Sequence, residues 1–319
     1  MRVVSARLDP LTLRLLGYWR SVMADERTQL VVRIPIGVVR RWPVACFFGI
    51  ACALSAVALG VIGVPRLSSE SHHGGPTSAL AVFPVMVIGV GLAGVALTAA
   101  DGGTPALREL WSRWRRPVER RWYLVVLVPP LAILAVLGLL HVLVSPTFAP
   151  QLFLFGIAAG VLAGFCEEFG WTGFAYPRMS AGVGPLRGAL LLGLLWGLWH
   201  FPVADSLGAA SPHGHYFPEF FAAFVAMIAA LRVLIAWVYT STGSLRIAQS
   251  LHASSTGFLV VLGAPAVSPG QEALWYAGYA AVLWLIAAAV VALSGGTLVR
   301  RPRTASAGPA TAAPASIAS

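Results

Sequence analysis

Eight stretches of about twenty mostly apolar residues follow one another along this chain, at roughly 43–64, 79–100, 122–144, 151–175, 186–204, 217–239, 244–264 and 272–294. A hydrocarbon layer about 30 Å thick takes about 20 residues of α-helix to cross. Inside it, every backbone polar group must be satisfied within the protein. Repeated runs of this length point to one architecture, an all-α polytopic membrane protein with about eight transmembrane helices. The separators carry turn chemistry: Pro65, Gly102-Gly103, Ser145-Pro146, Pro177 with Gly182 and Gly184, Ser211-Pro212 and Ser268-Pro269. Composition agrees, because 58% of the 319 residues are hydrophobic and 11% charged, against about 25% charged in a soluble domain. A soluble globular fold is excluded.

The 22 basic residues are all arginine and give a net charge of +10. In a soluble chain such an excess would point to nucleic acid. Here it sorts by loop: arginines gather before the first run, between the second and third, between the fourth and fifth, at Arg246 and after residue 299, with Arg66 and Arg232 as the exceptions. Cytoplasmic loops collect Arg and Lys, so both termini are expected inside and no nucleic-acid partner is implied. Residues 1–41 read as a cytoplasmic basic segment without a cleaved signal peptide, and 42–295 as the transmembrane domain. Residues 296–319, dominated toward the end by Ala, Ser, Thr and Pro, read as a disordered cytoplasmic tail. The Trp/Arg mixture at 107–114 reads as an interfacial anchor. Cys46, Cys52 and Cys166 lack zinc-ligand spacing and read as buried reduced thiols.

Charged groups in a bilayer cost about 2.5–3.5 kcal/mol each on insertion scales and mark function by default. The fourth run holds two in succession, Glu167 and Glu168, within Gly164-Phe-Cys-Glu-Glu-Phe-Gly-Trp-Thr-Gly-Phe174. Adjacent residues point about 100° apart on a helix, so one can face a cavity while the other meets a neighbouring helix. The fifth run ends Trp196-Gly-Leu-Trp-His200, and the seventh contains His252 and Thr256; each pair is four apart and shares a face. At 1.5 Å per residue, Glu167 lies about 15 Å deep, His252 about 12 Å and His200 about 20 Å. These depths are compatible with a single intramembrane site. A Glu–His pair can take a proton from water and return it to a leaving amine, while a second histidine and a hydroxyl can donate to an oxyanion. Glu167, His200 and His252 also form an acceptable zinc ligand set, with water in the fourth position. Residue types alone leave both arrangements open.

The Glu167-Glu168 pair followed by Trp171 and Gly173-Phe174, then Trp196-Gly-Leu-Trp-His200, then Thr242-Gly-Ser-Leu with Leu251-His-Ala-Ser254, together resemble the CPBP family of intramembrane endopeptidases. This is the family of type II CAAX-prenyl proteases and bacteriocin-immunity proteins. The resemblance covers about 150–260, which would be the catalytic core. It implies a cytosol-facing cavity in which Glu167 and His200 activate water without a metal, with His252 and the residue four further on stabilising the oxyanion. Glu168 takes the place of the second acid. Two positions depart from the family pattern: Thr172 stands where an arginine is usual, and Thr256 where Asn or Asp is usual. A threonine hydroxyl still donates one hydrogen bond. The missing arginine leaves Glu168 to be protonated or to find another cation, and Arg232 in the sixth run is a candidate. Trp196 reads as cavity wall, His141 as packing, and His72, His73, His213 and His215 as solvated loop residues.

Three functions follow from these readings. One is an intramembrane peptidase in a bacterial plasma membrane, acting on a membrane-associated peptide or protein. The second is a catalytically impaired scaffold or immunity protein, and the third an ion-coupled transporter using the same buried acids.

Overall fold

The computed structural model describes residues 36–62 and 77–299. The basic segment before them, the loop carrying Arg66, His72 and His73, and the tail from residue 300 lie outside the described residues. Eleven helices are described: α1 (Ile36–Arg41), α2 (Pro43–Ile62), α3 (Thr77–Arg115), α4 (Val128–Leu143), α5 (Phe155–Gly170), α6 (Tyr176–Val183), α7 (Pro185–Trp199), α8 (Phe201–Ala204), α9 (Phe217–Thr242), α10 (Leu245–Val261) and α11 (Pro269–Ser294). Three 3₁₀ segments, at Arg120–Leu127, Pro146–Phe148 and Gly214–Tyr216, and a π-helical turn, Trp171–Ala175, join them. There is no strand among the described residues. The chain is an all-α polytopic membrane protein.

Among the described residues, five helical stretches are long and apolar enough to cross a membrane: Pro43–Ile62, Val82–Arg115, Arg120–Leu143, Gly214–Thr242 and Pro269–Ser294. The other three expected spans contract to α5, α7 and α10, of 16, 15 and 17 residues. Each is about 22–26 Å long at 1.5 Å per residue, short of a full hydrocarbon layer. These are the helices that carry the polar motifs. α5 runs on through the π turn into α6, and α7 breaks at His200, so the backbone bends where the ionisable groups sit. The second span also departs from expectation: α3 does not stop near residue 100 but continues through the Trp/Arg segment, kinked at Gly103 (φ 62°, ψ −152°) just before Pro105.

α5 lies between two close neighbours. Gly91 and Gly94 of α3 meet its backbone at Cys166 and Gly170. On the other side Gly156, Gly160 and Gly164 face Gly257, Ala253 and Gln249 of α10, where any side chain would strike main chain. Small residues at this spacing let helix backbones approach, which supplies the packing that lipid-solvated helices need. α9 is the most enclosed of the long helices, packed by α7, α10 and α11.

The two ends of the bundle sort the connections. At one end the tip of α3 meets the segments following α5 and α9: Arg178 Nη2 is 2.6 Å from Asp101 Oδ2, and Ser244 Oγ donates to the Arg116 carbonyl at 3.2 Å. At the other end Gln151 N donates to Gly263 O at 2.8 Å, and the loop after α8 is tied to α11. That tie corrects the reading of His213, which is buried rather than solvated. Its Nδ1 lies 3.2 Å from Asp205 Oδ1 and its Nε2 3.2 Å from Glu272 Oε2, and its ring stacks on Phe220 at 3.7 Å. Glu272 also accepts from Ala209 N and Ala210 N, both at 2.7 Å. One carboxylate at the start of α11 thus organises a loop that hydropathy alone leaves in water. His141, read as packing, is exposed in the last turn of α4. The cysteines are free, but none is buried as expected: Cys52 is exposed, and Cys46 and Cys166 are partly exposed.

Candidate active site

Glu167 and Glu168 occupy the last turn of α5 and are both buried, at 2% and 0% exposure. Their side chains part as helical geometry requires. Glu167 turns toward two indoles: Trp171 Nε1 donates to its Oε2 at 2.8 Å, and Trp196 Nε1, from α7, donates to the same oxygen at 3.1 Å. Its Oε1 has no hydrogen-bond partner among the described residues. Glu168 turns toward α9 and α10 and is fully committed. Arg232 Nη2 donates to its Oε1 at 2.6 Å and Nη1 to its Oε2 at 3.0 Å, a bidentate pair with both partners at zero exposure. The Thr172 hydroxyl donates to Oε2 and in turn accepts from Arg232 Nη1 at 2.9 Å. His252 Nδ1 donates to Oε1 at 2.8 Å.

The cation for Glu168 therefore arrives from α9, not from the position of Thr172. Threonine is short enough to lie between the carboxylate and the guanidinium and hydrogen-bond both. Trp171 and Thr172, at the start of the π turn, each stand four residues, one helical turn, beyond the glutamate they serve. Such wide turns are characteristic of functional segments.

Trp196 links the groups. Its N–H reaches Glu167, its ring centroid lies 4.8 Å from that of His252 and 6.1 Å from that of His200, and the Arg232 guanidinium sits over its face at 4.5 Å. A side chain read as cavity wall is thus a hydrogen-bond donor at the centre of the cluster. His200, at the C-cap of α7, is held by the Trp196 carbonyl at 2.9 Å and by the rings of Trp199 and Phe224. A carbonyl only accepts, so His200 Nδ1 carries the proton and, in the neutral ring, Nε2 is a free base. By the same logic His252 presents Nε2 away from Glu168. Of the two carboxylates and two histidines, His200 is the least enclosed.

Two hydrogen-bonded sets thus form one cluster: Glu167 with Trp171, Trp196 and, through the Trp196 carbonyl, His200, and Glu168 with Arg232, Thr172 and His252, the two joined where the Trp196 ring meets His252 and the Arg232 guanidinium. No direct Glu167–His200 hydrogen bond is present; the two meet the same indole. Thr256 is half-buried one turn beyond His252, and its hydroxyl has no partner among the described residues. No three His, Cys, Asp or Glu side chains among the described residues converge to hold a metal ion. Three of the four acid oxygens, Glu167 Oε2 and both of Glu168, are already bound to indoles, a guanidinium, Thr172 and His252, and only Glu167 Oε1 is free among the described residues.

Residues 149–258, which contain every group in this cluster, match a family model described as type II CAAX prenyl endopeptidase Rce1-like. A 59-residue stretch is 37% identical to CAAX prenyl protease 2 of Methanococcus maripaludis, covering 18% of this chain. The match spans about a fifth (20%) of that curated relative's length. Over the segment that carries the cluster, this chain is similar to the type II CAAX prenyl endopeptidases.

Proposed function

We propose that this protein is an intramembrane endopeptidase of a bacterial plasma membrane, hydrolysing a peptide bond in a membrane-associated peptide or protein. The observation that carries the reading is the division of labour between the two acids. Glu168 is a buried structural anion, neutralised by Arg232 and used to hold His252. Glu167 is fixed by two indoles through one oxygen and keeps the other for water. Glu167 Oε1 and His200 Nε2 are the two acceptors available to a nucleophilic water. Proton abstraction by such a pair is worth about 10²–10⁴ in rate. As water attacks the carbonyl carbon, the oxygen gains charge. The Nε2–H of His252 in its imidazolium form and the free Thr256 hydroxyl are the donors this step requires. Collapse expels the amine, which takes the proton first drawn from water.

In this reading water is activated by the acid and histidine without a resident metal, consistent with the commitment of Glu168 and His252 to each other. The scaffold and transporter readings rest on no comparable observation; at the two departing positions, Thr172 is engaged with Glu168 and Arg232, and the Thr256 hydroxyl is left to donate. The test is reconstitution in proteoliposomes with membrane peptides, prenylated and unmodified, and mass spectrometry of products. Cleavage by the natural chain that falls by about 10² or more in Glu167→Gln supports the proposal. Equal product from both proteins refutes it, and stoichiometric zinc in active protein refutes the metal-free mechanism.

A further inference from the structure

A cavity of about 310 Å³ opens at the arginine-rich end of the bundle, between the tip of α3, the start of α6 and the end of α9. Its walls are rich in donors. Arg113 is anchored on one side, Nη1 donating to Tyr239 Oη at 3.0 Å and to Gly173 O at 3.3 Å. Its Nε is buried without a hydrogen-bond partner, the nearest carboxylate oxygen, Glu109 Oε1, being 3.7 Å away. Arg116 reaches the cavity from the end of the same segment, and no carboxylate among the described residues pairs with it. Its guanidinium lies against Gly243, whose left-handed φ of 65° closes α9 and where a side chain would collide with Nη1. Tyr239 accepts from Arg113, so its own O–H remains to be given. Against two guanidinia and this hydroxyl stands one lining carboxylate, Glu109, which is largely exposed.

An unpaired guanidinium, an orphaned Nε–H and a free phenol around one cavity make a receptor for an oxyanion with several acceptor oxygens. Arginine is suited to phosphate because its fork meets two oxygens at once. The surroundings set the depth. Trp111 and Trp114 stack at 4.5 Å on α3 beside the cavity, with Arg115 over Trp111 at 4.9 Å, the side-chain mixture of a membrane–water interface.

We infer that this cavity binds a phosphate group, as a phospholipid headgroup or as free phosphate. Arg113 also holds the carbonyl of Gly173, within the π turn whose Trp171 and Thr172 grip the two glutamates. A bound phosphate would therefore be one hydrogen bond from the segment that carries the acids.

The test uses the full chain in detergent micelles, titrated separately with dioctanoyl phosphatidylglycerol, with dioctanoylglycerol as the phosphate-free control, and with inorganic phosphate. Binding is followed by tryptophan fluorescence and phosphorus NMR linewidth. Saturable binding of the phosphatidylglycerol but not of dioctanoylglycerol, weakened about tenfold in Arg116→Gln, supports the site with lipid as its source. Saturable inorganic phosphate with the same loss in Arg116→Gln supports it with free phosphate as the source. Tyr239→Phe, which deletes one donor and no charge, is expected to weaken either ligand a few-fold and serves should Arg116→Gln fail to fold. Absence of saturable binding to the natural chain, or binding unchanged in the folded variants, overturns the inference.

Discussion

Replacing Arg232 with leucine removes the guanidinium paired with Glu168 and strands a carboxylate at zero exposure. Two magnitudes compete. If Arg232–Glu168 were an ordinary polar contact between membrane helices, its loss would cost about 0.6 kcal/mol, and at most about 1.7. If it is a buried ion pair, removing one partner costs about 3–5 kcal/mol, because the remaining charge keeps its desolvation penalty without compensation. The structure favours the second: the pair is bidentate at 2.6 and 3.0 Å, and Arg232 also supports Thr172 at 2.9 Å. A loss of 4 kcal/mol is roughly a thousandfold in the folding equilibrium. The double variant Glu168→Gln/Arg232→Leu removes the stranded charge, so its cost should fall to about 1–2 kcal/mol despite the additional change. Equilibrium unfolding in micelles, followed by tryptophan fluorescence, measures the natural chain, the two single variants and the double variant. An Arg232→Leu protein within 1 kcal/mol of the natural chain, or a double variant as unstable as the sum of its singles, would refute the reasoning.

Trp196→Phe keeps a ring between the histidines but deletes the N–H to Glu167; peptidase turnover should fall about tenfold or more while the unfolding midpoint moves little, read by product formation and thermal unfolding in parallel. Gly160→Val in α5 would drive a side chain into the α10 backbone at Ala253 and Gly257, and should cost several kcal/mol or prevent folding, seen as loss of monodisperse protein on size exclusion. Glu272→Gln keeps the shape but weakens the acceptor for Ala209 N, Ala210 N and His213, and should cost about 1–3 kcal/mol and raise hydrogen exchange at residues 205–213.

Hydropathy locates every long helix because the 20-residue ruler is set by the bilayer and not by the neighbours. It overstates α5, α7 and α10, where the backbone turns to present polar groups, and no local pattern announces a π turn. The two glutamates and two histidines are legible because ionisable groups in apolar runs are costly. Arg232 is legible for the same reason and already stands as the candidate cation for Glu168; what the fold adds is the bidentate geometry and the Thr172 hydroxyl between them. The Trp196 donor is not legible, since an indole in an apolar run has an ordinary packing use. The stripe Gly156, Gly160, Gly164 is visible as a four-residue spacing and is the signal that α5 sits against another backbone. Asp205, His213 and Glu272 are too scattered along the chain to be associated without the fold.

The central claim is that Glu167 activates water to cut a peptide bond. Its most direct measurement compares the N-termini of membrane proteins in cells carrying the natural chain and cells carrying Glu167→Gln at equal abundance. The account predicts new N-termini with the natural chain that disappear in the variant. Identical sets of N-termini in the two cell populations would contradict it.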